Sequence, residues 1–282
     1  MRTIRVAVAL LLAGVMLAPL AAQVGPVPPY RILISNDDGV RAPGLAAVAQ
    51  ILQAIGDVTI VAPAVNQSGK GHSIITSEPV FREDLTLPNG LKAIGLTATP
   101  ASTVNIAIRN IVNNPKPDLV VAGINRGLNT GLSHYVSGTV GVARQAAMLG
   151  VPAIAASLVE DAPPQDLIAA AEEVLGVARR LKQFGIPPMT FLSVNMPKVP
   201  AGGYKGYRVT AQALVNSGDE SFVETKEPRS GQTIYWNVYK EGATAPEGTD
   251  IWAVANGYVS VTPMKVGEHD PALGRQLEAW FK

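Results

Sequence analysis

The chain has 282 residues, of which 47% are hydrophobic, 16% charged and 5% aromatic, and its formal net charge is +1. That length suffices for one large core or two modest domains. The near-neutral balance, without a Lys/Arg cluster, offers no footprint for a nucleic-acid polymer, and the absence of cysteine excludes disulfides, thiolate metal sites, cysteine nucleophiles and a lipid-modified N-terminal cysteine.

At the N-terminus, Arg2 and Arg5 precede an uncharged run from Val6 to Ala18, and Pro19-Leu20-Ala21-Ala22 follows. A basic start, a short apolar core and a small-residue exit describe a secretory signal peptide over 1–22. A membrane anchor needs ~20 apolar residues, and Pro19 interrupts first. The expectation is export, with a periplasmic destination, cleavage near Ala22 and no stable membrane anchor. Residues 23–29 read as a short proline-rich leader. Loss of the segment lowers the 23 basic residues by two, to 21 against 22 acidic ones. A cysteine-free chain suits an oxidising compartment.

Residues 30–282 read as a single domain. Tyr30–Ser35, Val58–Ala62, Leu119–Ala122, Ala153–Ser157 and Phe191–Asn195 are β-rich runs of strand length. Between them Leu45, Val48, Leu52 and Ile55 recur at helical spacing, as do Val104, Ile108 and Ile111, then Leu167, Ala171, Val174, Ala178 and Leu181. Thr99-Pro100 reads as a helix start, and Ser137 as the cap of a helix reaching Leu149. Alternating strands and helices predict an α/β fold with a mostly parallel sheet covered on both faces. Ligands of such sheets bind at the loops leaving the strand C-terminal ends. Beyond residue 200, Tyr207–Leu214 and Thr233–Tyr239 read as extended arms around a polar centre, Asn216 to Gln232. They predict a projecting β-hairpin over about 204–240. With its aromatics Tyr207, Phe222, Tyr235 and Trp236 it is too thin to stand alone, and is expected to bury its apolar face on a second subunit.

Three loops carry candidate chemistry. In "ILISNDDGV", Asp37 and Asp38 stand at the tip of an apolar strand. One aspartate there would be an ordinary turn or cap residue. Two adjacent ones suit a hard divalent cation, which takes one or two carboxylates with neutral oxygens and substrate phosphate. In the second loop, residues 62–76, Ser68-Gly69-Lys70-Gly71 offers a hydroxyl, amides and a cation to a phosphate, without the Walker spacing. His72 alone reads as a packed or capping residue. The third loop holds Asn125, Arg126 and Asn129, then Ser137-Gly138-Thr139 at a helix start. A helix N-terminus of this kind is an anion site or, equally, an ordinary cap. His134 is isolated, and no His-Glu-x-x-His pattern exists.

"RILISNDDGVRAPG", "NQSGKGHSIIT", "VVAGINRGLNTG", "SGTVGVARQAAMLGVPAIAAS", "SVNMP" and "GTDIWAVANGYVSVTP" resemble, in that order, the blocks of the SurE family. The resemblance runs from Tyr30 to about Lys265. It implies a metal-dependent acid phosphatase acting on nucleoside monophosphates, 5′ and often 3′, with some members trimming short polyphosphate. It also implies a Rossmann-like α/β/α sandwich whose projecting hairpin and C-terminal arm help form dimers or tetramers. By the same resemblance one divalent ion per subunit, Mg²⁺ or Mn²⁺, falls to Asp37, Asp38, Ser68 and Asn125, with the two aspartates also catalytic. The substrate phosphate falls to Asn129, Ser137, Gly138 and Thr139. The chain departs from the family pattern at Ala64 and Ser102, where acids are usual, at Val136, where an aromatic or His is usual, and at Leu132-Ser133. Those changes bear on substrate range. A signal peptide is also unusual in a family best known as cytoplasmic.

Two other readings compete. On the haloacid-dehalogenase template Asn36 falls at the nucleophile, and an amide cannot form the aspartyl-phosphate. An exported, non-catalytic α/β binding protein for a phosphate-bearing ligand would use the same loops. It would neither release phosphate nor need a divalent ion.

Overall fold

The computed structural model describes residues 28–281, so the signal peptide expected over 1–22 and most of the leader lie outside the described residues. In chain order the strands are β1 (Arg31–Ser35), β2 (Asp57–Pro63), β3 (Arg82–Thr86), β4 (Lys92–Leu96), β5 (Leu119–Arg126), β6 (Ala153–Leu158), β7 (Thr190–Met196), β8 (Tyr207–Val209), β9 (Gly218–Lys226), β10 (Thr233–Glu241) and β11 (Val259–Lys265). The helices are α1 (Pro43–Leu52), α2 (Pro100–Ile106), α3 (Gly138–Met148), α4 (Asp166–Phe184), α5 (Asp250–Ala255) and α6 (Pro271–Glu278).

Nine strands form one sheet in the order β3-β4-β2-β1-β5-β6-β7-β11-β8. From β4 to β7 every neighbour runs parallel, and antiparallel β3 and β11 flank that block. Parallel strands need crossover helices, which cover both faces, so their sequences become near-continuous apolar runs. Every residue of β6 is buried, for example. On one face Ile32, Ile34, Val121 and Ile154 pack with Leu45 and Leu52 of α1 and Val174 and Leu181 of α4. On the other, Leu33, Val120 and Ala155 pack with Val104 of α2 and Val140 and Ala143 of α3. The period of two along β1 thus divides one strand between two cores. Truncating Leu33, fully buried, to Ala would cost ~2–5 kcal/mol.

The helix starts follow local chemistry. Pro43 and Pro100 occupy first-turn positions, where a missing N–H costs nothing. Ser137 caps α3, its hydroxyl accepting from Val140 N at 3.1 Å. Thr99 precedes α2 as expected, but its hydroxyl donates to the Ser73 carbonyl at 2.7 Å instead of capping the helix.

Two features differ from the sequence expectation. The strands β3 and β11 are polar or proline-interrupted ("REDLT", "VSVTPMK") and carry no clear apolar signature. The hairpin pairs β9 with β10, whereas Tyr207–Val209 joins the main sheet beside β11. Its first arm, "GDESFVETK", reads as a turn-rich centre because it is polar and solvent-facing along almost its whole length. None of the residues of α6 is buried. Among the described residues no helix is long and apolar enough to cross a membrane.

Candidate metal centre

The chain leaves β1 for β2 on one side and later lays β5 on the other, which makes the β1/β5 boundary a topological switch point. The crevice outside such a boundary is where open α/β sheets bind ligands. Asp37 and Asp38 leave the tip of β1, while Asn125 and Arg126 end β5. The pairing of β5 with β6 shifts register between Ala122 and Asn125, the kind of irregularity that re-aims a strand end. It requires Gly123, since a Cβ there would meet the Ala156 carbonyl at 2.3 Å with φ at +123°.

Asp37 is 3% exposed and seated against the start of α3. The Thr139 hydroxyl donates to its Oδ1. Gly138 makes that approach possible: a Cβ there would lie 2.7 Å from Asp37 Cβ and 2.9 Å from Oδ2. Burial pushes the Asp37 pKa up, against the opposing pull of Thr139 and the amides at the helix start. Asp38 is half-buried, and its Oδ2 accepts from Arg126 N at 3.1 Å. Its pKa is pushed up to about 6, first by burial and then by the Asp37 charge. Two carboxylates withdrawn from water next to each other are costly unless a proton or a cation neutralises them.

The neighbouring loops supply neutral oxygens. Gln67 N donates to the Asp37 carbonyl at 2.7 Å, which ties the second loop to the tip of β1. Ser68 follows at the surface, its amide held by Asn66 Oδ1 at 2.8 Å. Asn125 uses its amide nitrogen on the Gly127 carbonyl at 2.7 Å, which leaves its side-chain oxygen for another partner. A cavity of about 500 Å³ brings Asp38, Asn66, Asn125 and Arg126 together above the apolar Leu158 and Leu167. At the end of β1, Ser35 Oγ and Asn36 Oδ1 are buried without a hydrogen-bond partner among the described residues. Among the described residues no three His, Cys, Asp or Glu side chains gather. Any ion here would rest on two carboxylates and neutral oxygens, a donor set that fits a hard divalent cation of the Mg²⁺ kind.

The residues expected at a substrate phosphate are adjacent but already engaged. Ser137 caps its own helix, and Thr139 and Gly138 serve Asp37. Asn129 is held from below: its N donates to Asn195 Oδ1 at 2.8 Å and its Nδ2 to Ser157 Oγ at 2.8 Å. Asn195 and Ser157 escaped the sequence reading as site residues. The available signal was a polar side chain inside a strand buried on both faces, where it must find a partner. His72 hydrogen-bonds Gln145 at 2.8 Å. His134 is buried and stacks on Phe191 at 5.9 Å, with burial pulling its pKa down to about 4. Of the departures, Ser102 accepts from Ile75 N at 2.7 Å and so anchors the second loop to α2, while the Val136 side chain is exposed.

A family model described as Survival protein SurE matches residues 32–219. The 5′-nucleotidase SurE of Geotalea uraniireducens is 40% identical over 235 residues, which cover 83% of this chain and 92% of that one. The 5′-nucleotidase SurE 1 of Thermus thermophilus is 39% identical over 238 residues, 84% and 92% of the two chains. The crystal structure of the SurE protein from Aquifex aeolicus superposes with a TM-score of 0.76 at 34% identity, covering 89% of this chain and all of that one.

Proposed function

The chain belongs to the SurE family, and on that premise we propose that it is a 5′-nucleotidase, which hydrolyses nucleoside 5′-monophosphates to nucleoside and orthophosphate. The observation that carries this reading is the pair Asp37 and Asp38, withdrawn from water at the switch point of the sheet. A phosphate monoester brings further negative charge to them. Like charges ~4 Å apart cost about 4 kcal/mol per pair at an effective dielectric of about 20. The start of α3 offsets that by only ~0.3–2 kcal/mol. A cation that neutralises the pair would let the substrate approach, and we take that role to be a divalent ion's.

One divalent ion per subunit, Mg²⁺ or Mn²⁺, would be held by Asp37, Asp38, Ser68 and Asn125. Bound there, such an ion supplies Lewis-acid polarisation of a phosphoryl oxygen and lowers the pKa of water. The chain's own part is to fix the geometry. Thr139 and Gly138 hold the Asp37 carboxylate in place, and the Arg126 amide holds Asp38. Asn129, steadied by Asn195 and Ser157, and the start of α3, capped by Ser137, are the residues this reading assigns to the phosphoryl group. The amides at that helix start offset the charge of Asp37 and of the phosphate together.

The same reading assigns the hairpin and the C-terminal arm to self-association, as a dimer or tetramer. Phe222, Val223, Tyr235 and Trp236 are exposed on β9–β10, and Trp280 and Phe281 beyond α6. A two-stranded ribbon with such surface calls for a cover.

A phosphate-release screen tests the activity. Mononucleotides, 5′ and 3′, phosphorylated sugars and short polyphosphate are offered with Mg²⁺, Mn²⁺ or chelator. The expected result is metal-dependent release, fastest from 5′-mononucleotides. Nucleotide binding without release under any metal would instead make this a non-catalytic binding protein.

A further inference from the structure

Of the four ligands proposed for the ion, Ser68 alone stands on an exposed bend: Ser68, Gly69 and Lys70 all face water. Gly69, at φ +75°, has no neighbour within 4 Å of where a Cβ would stand, so nothing packs on the bend at that point. The loop is held on either side of it. Before Ser68, Gln67 N is on the Asp37 carbonyl at 2.7 Å. After it, Gly71 N donates to the Val136 carbonyl at 3.0 Å. The Gly71 carbonyl lies so close to α3 that a Cβ on Gly141 would meet it at 2.3 Å. Among the described residues the first side chain after Ser68 to make a hydrogen bond is His72, whose Nε2 lies 2.8 Å from Gln145 Oε1 on α3.

Gln145 is buried, and the direction of its bond to His72 is set from α2. Arg109 has donors only. Its Nε donates to Asn105 Oδ1 at 2.8 Å, and the same oxygen accepts from Gln145 Nε2 at 3.5 Å. An amide that turns its nitrogen to Asn105 turns its oxygen to His72. His72 therefore carries its proton on Nε2 and donates. Reversing the Gln145 amide would set two oxygens face to face and leave a buried polar group unpaired.

We propose that His72 is a positioning residue for the metal centre: by donating to Gln145 it latches the second loop to α3 and holds Ser68 ready as a ligand. The latch rests on the metal-dependent reading above. Asp37 and Asn125 are buried at strand ends, and Asp38 is held by the Arg126 amide, so the sheet itself sets those three. Ser68 depends on its loop. A ligand on an unheld bend must give up backbone freedom when it coordinates, and a bond made in advance removes that cost from binding. The same helix that places the Thr139 hydroxyl on Asp37 at its start thus anchors, further along, the loop that carries Ser68.

Mn²⁺ binding to the full chain, measured by titration calorimetry without substrate, tests the latch. His72→Leu and Gln145→Leu should each raise Kd by about fivefold, within the net worth of one hydrogen bond. The double variant should be no weaker than either single one, since both remove the same contact. His72→Gln, whose amide nitrogen can stand in for Nε2, should bind Mn²⁺ as the wild type does. In phosphate release the Leu variants should need correspondingly more Mn²⁺ for half-activation and recover when it is saturating. An unchanged Kd in the Leu variants, with or without a lower Tm, would make the bond one of fold alone and overturn the latch. So would additive losses in the double variant, or a His72→Gln as weak as His72→Leu. A wild type that binds Mn²⁺ but releases no phosphate would overturn the nucleotidase reading and leave the latch to be decided by calorimetry. A wild type that binds no Mn²⁺ would overturn the metal centre and the latch together.

Discussion

At the tip of β1 the chain withdraws two negative charges from water, and along β9–β10 it leaves aromatic side chains in it. Asp37 is 3% exposed, whereas Tyr235, Trp236 and Phe222 are exposed by 63%, 64% and 62%. A chain that finished its own surface would do neither: buried ions cost several kcal/mol each after relaxation, and broad apolar patches mark contacts to be made. On the proposed reading the two regions call for opposite partners, one for a cation and the other for apolar cover. They also differ in what supports them. The first is built on interior strands and closed by Gly138 and Thr139, while the second is a ribbon held by its own cross-strand pairs. Changes in the first should therefore move chemistry and spare assembly, and changes in the second should do the reverse.

The sharpest division is expected from Asp37→Asn. Asparagine keeps the shape and can still accept from the Thr139 hydroxyl, but it removes one buried charge. Metal catalysis supplies several kcal/mol of transition-state stabilisation, so phosphate release should fall at least about a hundredfold. The metal-free thermal midpoint should be unchanged or higher, and the sedimentation coefficient the same. Metal-dependent activity near the wild-type level would show that Asp37 is not a ligand, and the charge half of the comparison would collapse.

The hairpin gives the converse. Val223 and Trp236 are directly opposite each other across the ribbon. Val223→Glu with Trp236→Lys keeps an attractive pair within the hairpin while removing apolar surface from it. Sedimentation at micromolar concentration should move from oligomer to monomer, and kcat should stay within roughly threefold, as for well-separated sites. A wild-type protein that already sediments as a monomer would remove the need for cover, and the exposed aromatics would want another explanation.

Sequence and structure part company along the same line. The interior strands were legible because burial on both faces leaves almost nothing but apolar residues, as in "AIAASL" of β6. The sheet edges and the hairpin were not, because "REDLT" and "GDESFVETK" face water and carry no periodicity. The assignment of Tyr207–Leu214 as a hairpin arm, where β9 stands instead, followed from that silence. At the site, Asp37 and Asp38 stood out because adjacent carboxylates at a strand tip need a reason. Asn195 did not, since it lies 66 residues from Asn129 and only the sheet brings them together.

The smallest expected effect is on stability against pH, and it tests whether the charge at β1 is a burden to the empty protein. Burial holds the Asp38 pKa at about 6, above the ordinary 3.8, and moves Asp37 the same way. A carboxyl that titrates higher in the folded chain keeps its proton while the unfolded chain has released it. Its contribution is full below about 3.8 and is lost as pH rises through about 6. His134 works against this, because burial lowers its pKa from 6.5 to about 4, so stability falls as pH drops through that range. The two slopes oppose each other in one window, and the wild-type curve alone would hide both. The difference between wild type and Asp38→Asn isolates the carboxylate. In chelator the variant should gain on the wild type as pH rises from 4 to 7, by on the order of a few degrees in Tm. In saturating Mg²⁺ the wild type should recover that loss above about pH 6, where protons no longer compete for Asp38. A variant that tracks the wild type across the range in chelator would mean that Asp38 is already compensated by the chain itself, and that its burial gives no reason to expect an ion.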